Sequence, residues 1–330
     1  MTILTDAGHI IFMVTMVLFG VSGNMFNLVL TIEQQVKTRI IQTVGLILCV
    51  ISISNIVLVL AAFTMVVTLF LQPDLWCEKP YPLYIRTVVY LLLNFSCISF
   101  WAIAWLSLFY CVKVVSFSSE CLGSLKRNIS TVINTAVLLS CLGFSLFFLP
   151  MFSLERVDSS QDSNNISKNI NLNGTSNIIC QIPGFSVEIE SVSYTVAVLS
   201  CLCPIPLMIM LPTSLRMVIH LCAHTLALQK NKTQVQGSDS YLLVCKLTIS
   251  LVGVYLTSLF IVALSIIIRI IGPFITYLVL IFGYSFYSTM TSVLLMASNR
   301  YLKEKLWSLF CCREAKEQAT KSQTVETRDI

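Results

Sequence analysis

His220 and His224 are the first residues to weigh for chemistry, because an i, i+4 spacing sets two imidazoles on one helix face, as a metal site needs. No third ligand accompanies them and no His-Glu-x-x-His string occurs, so a basic, snorkelling helix end accounts for the pair better. The remaining histidine, His9, opens the first apolar run. A Gly-x-Ser-x-Gly elbow, a phosphate-binding glycine loop and paired intramembrane aspartates are all absent from the sequence. Enzyme chemistry is not expected, and no catalytic residue, metal ligand or cofactor is assigned. A retinal-type Schiff base would need a lysine in the last apolar run, and 273–297 has none. An ion-coupled carrier keeps ionisable groups near the bilayer midplane. Here Glu33, Arg86, Lys113, Glu190, Arg216, Lys246 and Arg269 all fall near the ends of apolar runs. The same gap argues against an amine ligand, whose cation calls for a carboxylate.

Milder polar groups do lie inside those runs: Asn24, Asn55, Asn94, Ser54, Ser96, Ser107, Ser250, Ser292 and Asn299. Taken singly, each reads as interhelical hydrogen-bond glue worth about 0.6 kcal/mol on average. The segment 100–113, FWAIAWLSLFYCVK, ends on Phe109-Tyr110 and then Lys113, where an apolar helix meets water. Many seven-helix receptors keep an acidic–arginine switch at that place; this chain does not.

The elements that must carry these groups follow from composition. Of 330 residues, 56% are hydrophobic and 11% charged, against about a quarter charged in soluble domains. Apolar runs of spanning length occur at about 9–32, 41–71, 85–112, 129–151, 190–220, 242–268 and 273–297. Alternating ten-residue segments, the signature of an outer-membrane barrel, are absent. The expected fold is an all-α membrane protein with a seven-transmembrane-helix bundle. No basic residue precedes the first run and no small-x-small site follows it, so it is expected to remain as helix 1. With the N-terminus outside, sixteen Lys and Arg fall on the inner side and five on the outer. That asymmetry obeys the positive-inside rule, so the net charge of +5 reports topology and not nucleic-acid binding. Residues 1–8 then form a short extracellular tail, and 298–330 a cytoplasmic one. In the latter, KEKLWSLFCC reads as a short amphipathic helix along the inner leaflet, followed by a charged, disordered end.

Most of the 13 cysteines lie in apolar runs and read as small hydrophobes. Cys77 and Cys180 fall in outer loops, where they are either bridged or free. Cys311 and Cys312 sit at the inner surface, either palmitoylated or unmodified. The Ser- and Asn-rich outer loop 152–189 carries glycosylation sequons at Asn165 and Asn173. Sequons at Asn94, Asn128 and Asn231 fall in the membrane or cytoplasm and are chance matches. Pro204, Pro206 and Pro212 each remove a backbone donor from the fifth run, giving either a fixed bend or a hinge.

Five strings, in order and at matching helix ends, resemble the type 2 (bitter) taste receptors, a family of G-protein-coupled receptors. They are Gly23-Asn24-x-Phe26; Phe100-Trp101 followed by Leu106-Ser107-x-Phe109-Tyr110-x-x-Lys113; and Pro206 with Ser214-Leu215, Leu221, His224 and Gln229. The others are Lys246-Leu-Thr-Ile-Ser250-Leu reaching Tyr255, and Ser292-x-x-Leu295-x-x-x-Asn299-x-x-Leu302-Lys303. Departures are Asn55 for the family's helix 2 arginine, Thr291 for a helix 7 histidine, Ser288 for a nearby proline, and an added Arg216. A divergent, non-mammalian member fits these departures.

The resemblance implies a plasma-membrane chemosensory receptor that binds small, mainly apolar agonists and activates a heterotrimeric G protein. It puts ligand contacts at Leu92, Ser96, Cys97 and Phe100 of helix 3, Ser258 of helix 6 and Ile281 of helix 7. At the inner end it brings Tyr110, Lys113, His224, Lys246, Ser250 and Asn299 to one cytoplasmic plane as a switch. A vomeronasal type 1 pheromone receptor is the neighbouring alternative, and a seven-helix transporter or channel the distant one. Partners are thus an agonist, a G protein and the lipid bilayer, with no nucleic acid.

Overall fold

The computed structural model describes residues 2–39, 42–72, 82–115, 120–153, 192–202, 204–230, 238–268, 273–298, 302–305 and 307–308. Among these, all regular structure is helical. In chain order the helices are α1 (Thr2–Thr38), α2 (Thr43–Leu71), α3 (Leu83–Val114), α4 (Glu120–Phe147), α5 (Val192–Leu202), α6 (Pro204–Lys230), α7 (Ser238–Ile268) and α8 (Pro273–Ser298). A 3-10 turn, Leu149–Ser153, follows α4. Helices α5 and α6, either side of Cys203, form the fifth span, so the eight helices make seven spans. Six stretches of the described residues are long and apolar enough to cross a membrane, and α8 supplies the seventh member of the bundle.

Several helix starts are set by proline, whose fixed φ and missing N–H suit the first turn. Pro82 caps α3, Pro204 opens α6 and Pro273 opens α8. Helix α1 closes through Arg39, which takes φ 53 and donates its N–H to the Val36 carbonyl at 3.3 Å. The helices outrun the apolar runs: α1 begins at Thr2 instead of residue 9, so the expected eight-residue tail is helical from its second residue. Likewise α4 begins at Glu120 and α7 at Ser238. Hydropathy marks only the part suited to hydrocarbon, whereas i→i−4 bonding continues into the interface.

Helix α3 stands at the centre, packed on α2, α4, α5, α6 and α7, while α1 closes the ring against α2 and α8. It is the most buried span, and α4 the least. The core is mainly apolar, yet it also holds polar groups, and the outer surface is apolar as well. Asn24, Asn27, Asn55, Ser99 and Ser292 are buried, whereas Phe19, Met25, Leu139, Leu142 and Phe260 are exposed. So much apolar surface is stable only against lipid. Some hydroxyls on the spans are met by their own helices; Thr64 donates to the Leu60 carbonyl at 2.6 Å and Thr257 to that of Gly253 at 2.9 Å.

Close approach of α1 and α8 requires Gly23. A Cβ there would stand 2.5 Å from Ser292 Oγ. Without it, Asn24 and Asn27 reach across: Asn24 Nδ2 donates to Ser288 Oγ at 3.0 Å and Asn27 Nδ2 to the Ser292 carbonyl at 2.9 Å.

Candidate functional site

The ligand wall expected on the third span is assembled by helical spacing. Leu92, Ser96, Cys97 and Phe100 all lie on the buried side of α3. Ser96 donates to the Leu92 carbonyl one turn above at 2.6 Å. Cys97 Sγ sits 3.7 Å from the Cys201 carbonyl of the fifth span. Phe100 is held edge-on by two tyrosines, Tyr255 at 4.9 Å and Tyr287 at 5.1 Å between ring centroids. Edge-to-face packing of this kind adds about 0.5–1.5 kcal/mol per pair beyond area burial. Ser258 is buried one turn from Tyr255 and donates to that residue's carbonyl at 2.7 Å. Ile281 belongs to α8, but its side chain lies outside the described residues. The structure thus joins Phe100 to the sixth and seventh spans, and leaves Ser96 and Ser258 bonded within their own helices. Leu92, Ser96, Cys97, Phe100 and Ser258 include no acidic or basic side chain.

Beneath this wall runs a polar chain that the sequence did not single out as a unit. Ser99 donates to Asn55 Oδ1 at 2.8 Å. With that proton committed, the Tyr287 hydroxyl is the donor in its 2.9 Å bond to Ser99. Asn55 Nδ2 points to Asn24 Oδ1 at 3.5 Å, and Asn24 continues to Ser288 on α8. Four spans are connected by neutral groups alone, centred on Asn55. Ser99, Asn27 and Tyr287 were missed, and of these Asn27 carried a signal: it follows Asn24 by three residues, on the same helix face.

At the other end of α3, Ser107 Oγ is 2.7 Å from Thr213 Oγ1 and 3.3 Å from Ser214 Oγ on α6. One turn on, Tyr110 is half-buried and packs with Val114 and Val218 around fully buried Met217. Lys113 is exposed, its ammonium 5.3 Å from the Phe109 ring centroid, a cation–π contact. Lys246 is exposed on α7 and Ser250 half-buried one turn further along. His224 lies in α6 with its side chain outside the described residues, and Asn299 lies outside them altogether. Of the six switch residues, then, Tyr110 is seated against the fifth span, and the convergence of the others is not part of the described geometry. Cys77, Cys180, Asn165, Asn173, Cys311 and Cys312 also lie outside the described residues.

The N-terminal end of α3 is fastened to α4 and to the turn after it. Arg86 Nη1 donates to the Phe152 carbonyl at 2.8 Å, Tyr90 donates to the Ser145 carbonyl at 3.0 Å, and the Tyr90 and Phe152 rings lie 5.1 Å apart.

Residues 1–314 match the family model described as Taste receptor protein (TAS2R). Similar curated proteins include "Taste receptor type 2 member 40" of Gallus gallus, 31% identical over 134 residues, which is 40% of this chain and 42% of the relative. "Taste receptor type 2 member 129" of Rattus norvegicus is 27% identical over 124 residues, 38% of each chain. The aligned part spans about two fifths of these curated relatives.

Proposed function

This chain belongs to the Taste receptor protein (TAS2R) family, and from that premise we propose that it is a plasma-membrane chemosensory receptor for small, mainly apolar bitter molecules. The ligand is held in the outer half of the bundle by Leu92, Ser96, Cys97 and Phe100, with Ser258 and Ile281 opposite. The observation that carries this reading is the wall itself: buried, uncharged, and centred on Phe100, which touches spans six and seven through Tyr255 and Tyr287. Apolar lining with a few polar groups suits a small organic molecule.

Agonist can shift the bundle only through its differential affinity for the resting and signalling states. Phe100 is where that difference is made, because displacing its ring disturbs two spans at once. At the inner face, Tyr110, Lys113, His224, Lys246, Ser250 and Asn299 form the surface that admits a heterotrimeric G protein as spans five and six part. The N-terminus faces outward, with Asn165 and Asn173 glycosylated on the long outer loop. Cys77–Cys180 bridging and acylation of Cys311 and Cys312 belong to the same topology.

A calcium assay in cells given a promiscuous G protein and a panel of bitter compounds tests this reading. Ser96→Leu and Phe100→Ala receptors that reach the surface are expected to lose the agonist response. Normal dose–response curves in both would remove the site, and agonist-dependent current without G protein would point to a channel.

A further inference from the structure

Two consecutive carbonyls in the fifth span take their hydrogen bonds from other spans. Pro206 has no N–H, so the Leu202 carbonyl four residues earlier cannot have its helical donor. The Tyr255 hydroxyl of α7 donates to it at 2.9 Å. The preceding carbonyl, Cys201, accepts Trp101 Nε1 from α3 at 3.0 Å and faces Cys97 Sγ at 3.7 Å. Tyr255 is fully buried. Its ring meanwhile forms the edge-on contact with Phe100. Spans three, five and six therefore converge at the peptide groups next to Pro204 and Pro206, and one tyrosine holds both the ligand wall and the orphaned carbonyl.

We propose that Tyr255 is a positioning residue that latches the sixth span to the fifth in the resting state by supplying the donor that Pro206 lacks. Movement of the Phe100 ring is passed to Tyr255, the Tyr255 hydroxyl leaves the Leu202 carbonyl, and α7 is freed from the fifth span. On this account the prolines make the fifth span part of a two-position device instead of a fixed bend. The switching half rests on the receptor reading above; the hydrogen-bond compensation does not.

The experiment is a double-mutant cycle on the full chain. Tyr255→Phe removes only the hydroxyl and keeps the ring on Phe100. It is expected to raise resting, ligand-free signalling, normalised to surface expression, by roughly three- to tenfold, and to lower the melting temperature of the detergent-solubilised receptor. Pro206→Ala gives residue 206 an N–H that can serve the Leu202 carbonyl, and in that background Tyr255→Phe is expected to change neither readout. Pro206→Ser serves the same purpose if the alanine variant does not reach the surface. Equal melting shifts in both backgrounds, or no shift in either, would overturn the compensation. Coupled melting with unchanged resting signal would overturn the latch. If no agonist elicits any signal, the receptor reading fails, while the melting cycle still decides whether Tyr255 answers Pro206.

Discussion

Asn55 shows how much one neutral side chain can decide inside a membrane bundle. It accepts from Ser99 and donates toward Asn24, so it joins the third span to the first through the second. Asn55→Leu would leave the Ser99 hydroxyl without its acceptor at a fully buried site. An unmet buried group of this kind costs about 1–3 kcal/mol, which a lowered melting temperature of the solubilised receptor will register. Ser99→Ala strands the two other ends of its bonds, Asn55 Oδ1 and the Tyr287 hydroxyl, and is expected to lower the melting temperature comparably in the same assay. From sequence, Asn55 and Asn24 stand out as polar residues in apolar runs, each with a modest role. Their connection was not legible, because a hydrogen bond between residues 31 apart depends on the rotation of each helix about its axis.

At the scale of helices, small residues and prolines set the packing. Gly23→Ala brings a methyl to 2.5 Å from Ser292 Oγ, so either that hydroxyl turns away from Asn27 or α1 moves from α8. Over-packing of this sort costs about 1–3 kcal/mol. A Cβ added at Gly253, also mid-helix, would meet nothing within 4 Å, and Gly253→Ala is expected to be stabilising by about 0.4–1 kcal/mol. Thermal melting of the two variants should therefore move in opposite directions. Arg86→Ala removes a charged donor from the Phe152 carbonyl. A loss of about 1.5–3 kcal/mol is expected where such a bond is well shielded, and less here because the site is only part-buried. Protease cleavage within residues 154–191 should quicken in the variant. The fifth span holds the third kind of packing device. Near Pro212, the Thr213 hydroxyl donates to the Ile209 carbonyl at 2.7 Å and meets Ser107 of α3. So α3 reaches both proline sites of the fifth span, a relation that three prolines in a sequence do not announce.

Across the described residues, apolar side chains fill the core and also cover the outside of the bundle, and the segment after α8 shows both kinds of environment within a few residues. Leu302 is fully buried, while Trp307 is exposed. Lys305 lies 3.9 Å from Glu33 at the end of α1, and Glu33 also pairs with Lys37. These ion pairs are partly exposed, and such pairs contribute about 0–1 kcal/mol, whereas truncating a buried leucine costs about 2–5 kcal/mol. A spin label on Ser308→Cys is expected to gain more mobility from Leu302→Ala than from Glu33→Gln. The reverse order would mean that charge, not burial, seats this segment.

Membrane class, the all-helical bundle and the family were legible in the linear chain. Each of these depends on local composition, or on short strings whose meaning survives without knowing what they touch. Hydropathy is additive along the chain, and a bilayer reads it one segment at a time. Three relations emerged with the packed bundle: Phe100 lies between Tyr255 and Tyr287, Asn55 sits at the junction of a four-span polar chain, and Tyr255 answers the donor missing at Pro206. Those facts depend on which faces of separate helices meet. In a chain so uniformly apolar, periodicity cannot mark a face, so the faces are chosen by glycine, asparagine and proline acting across spans.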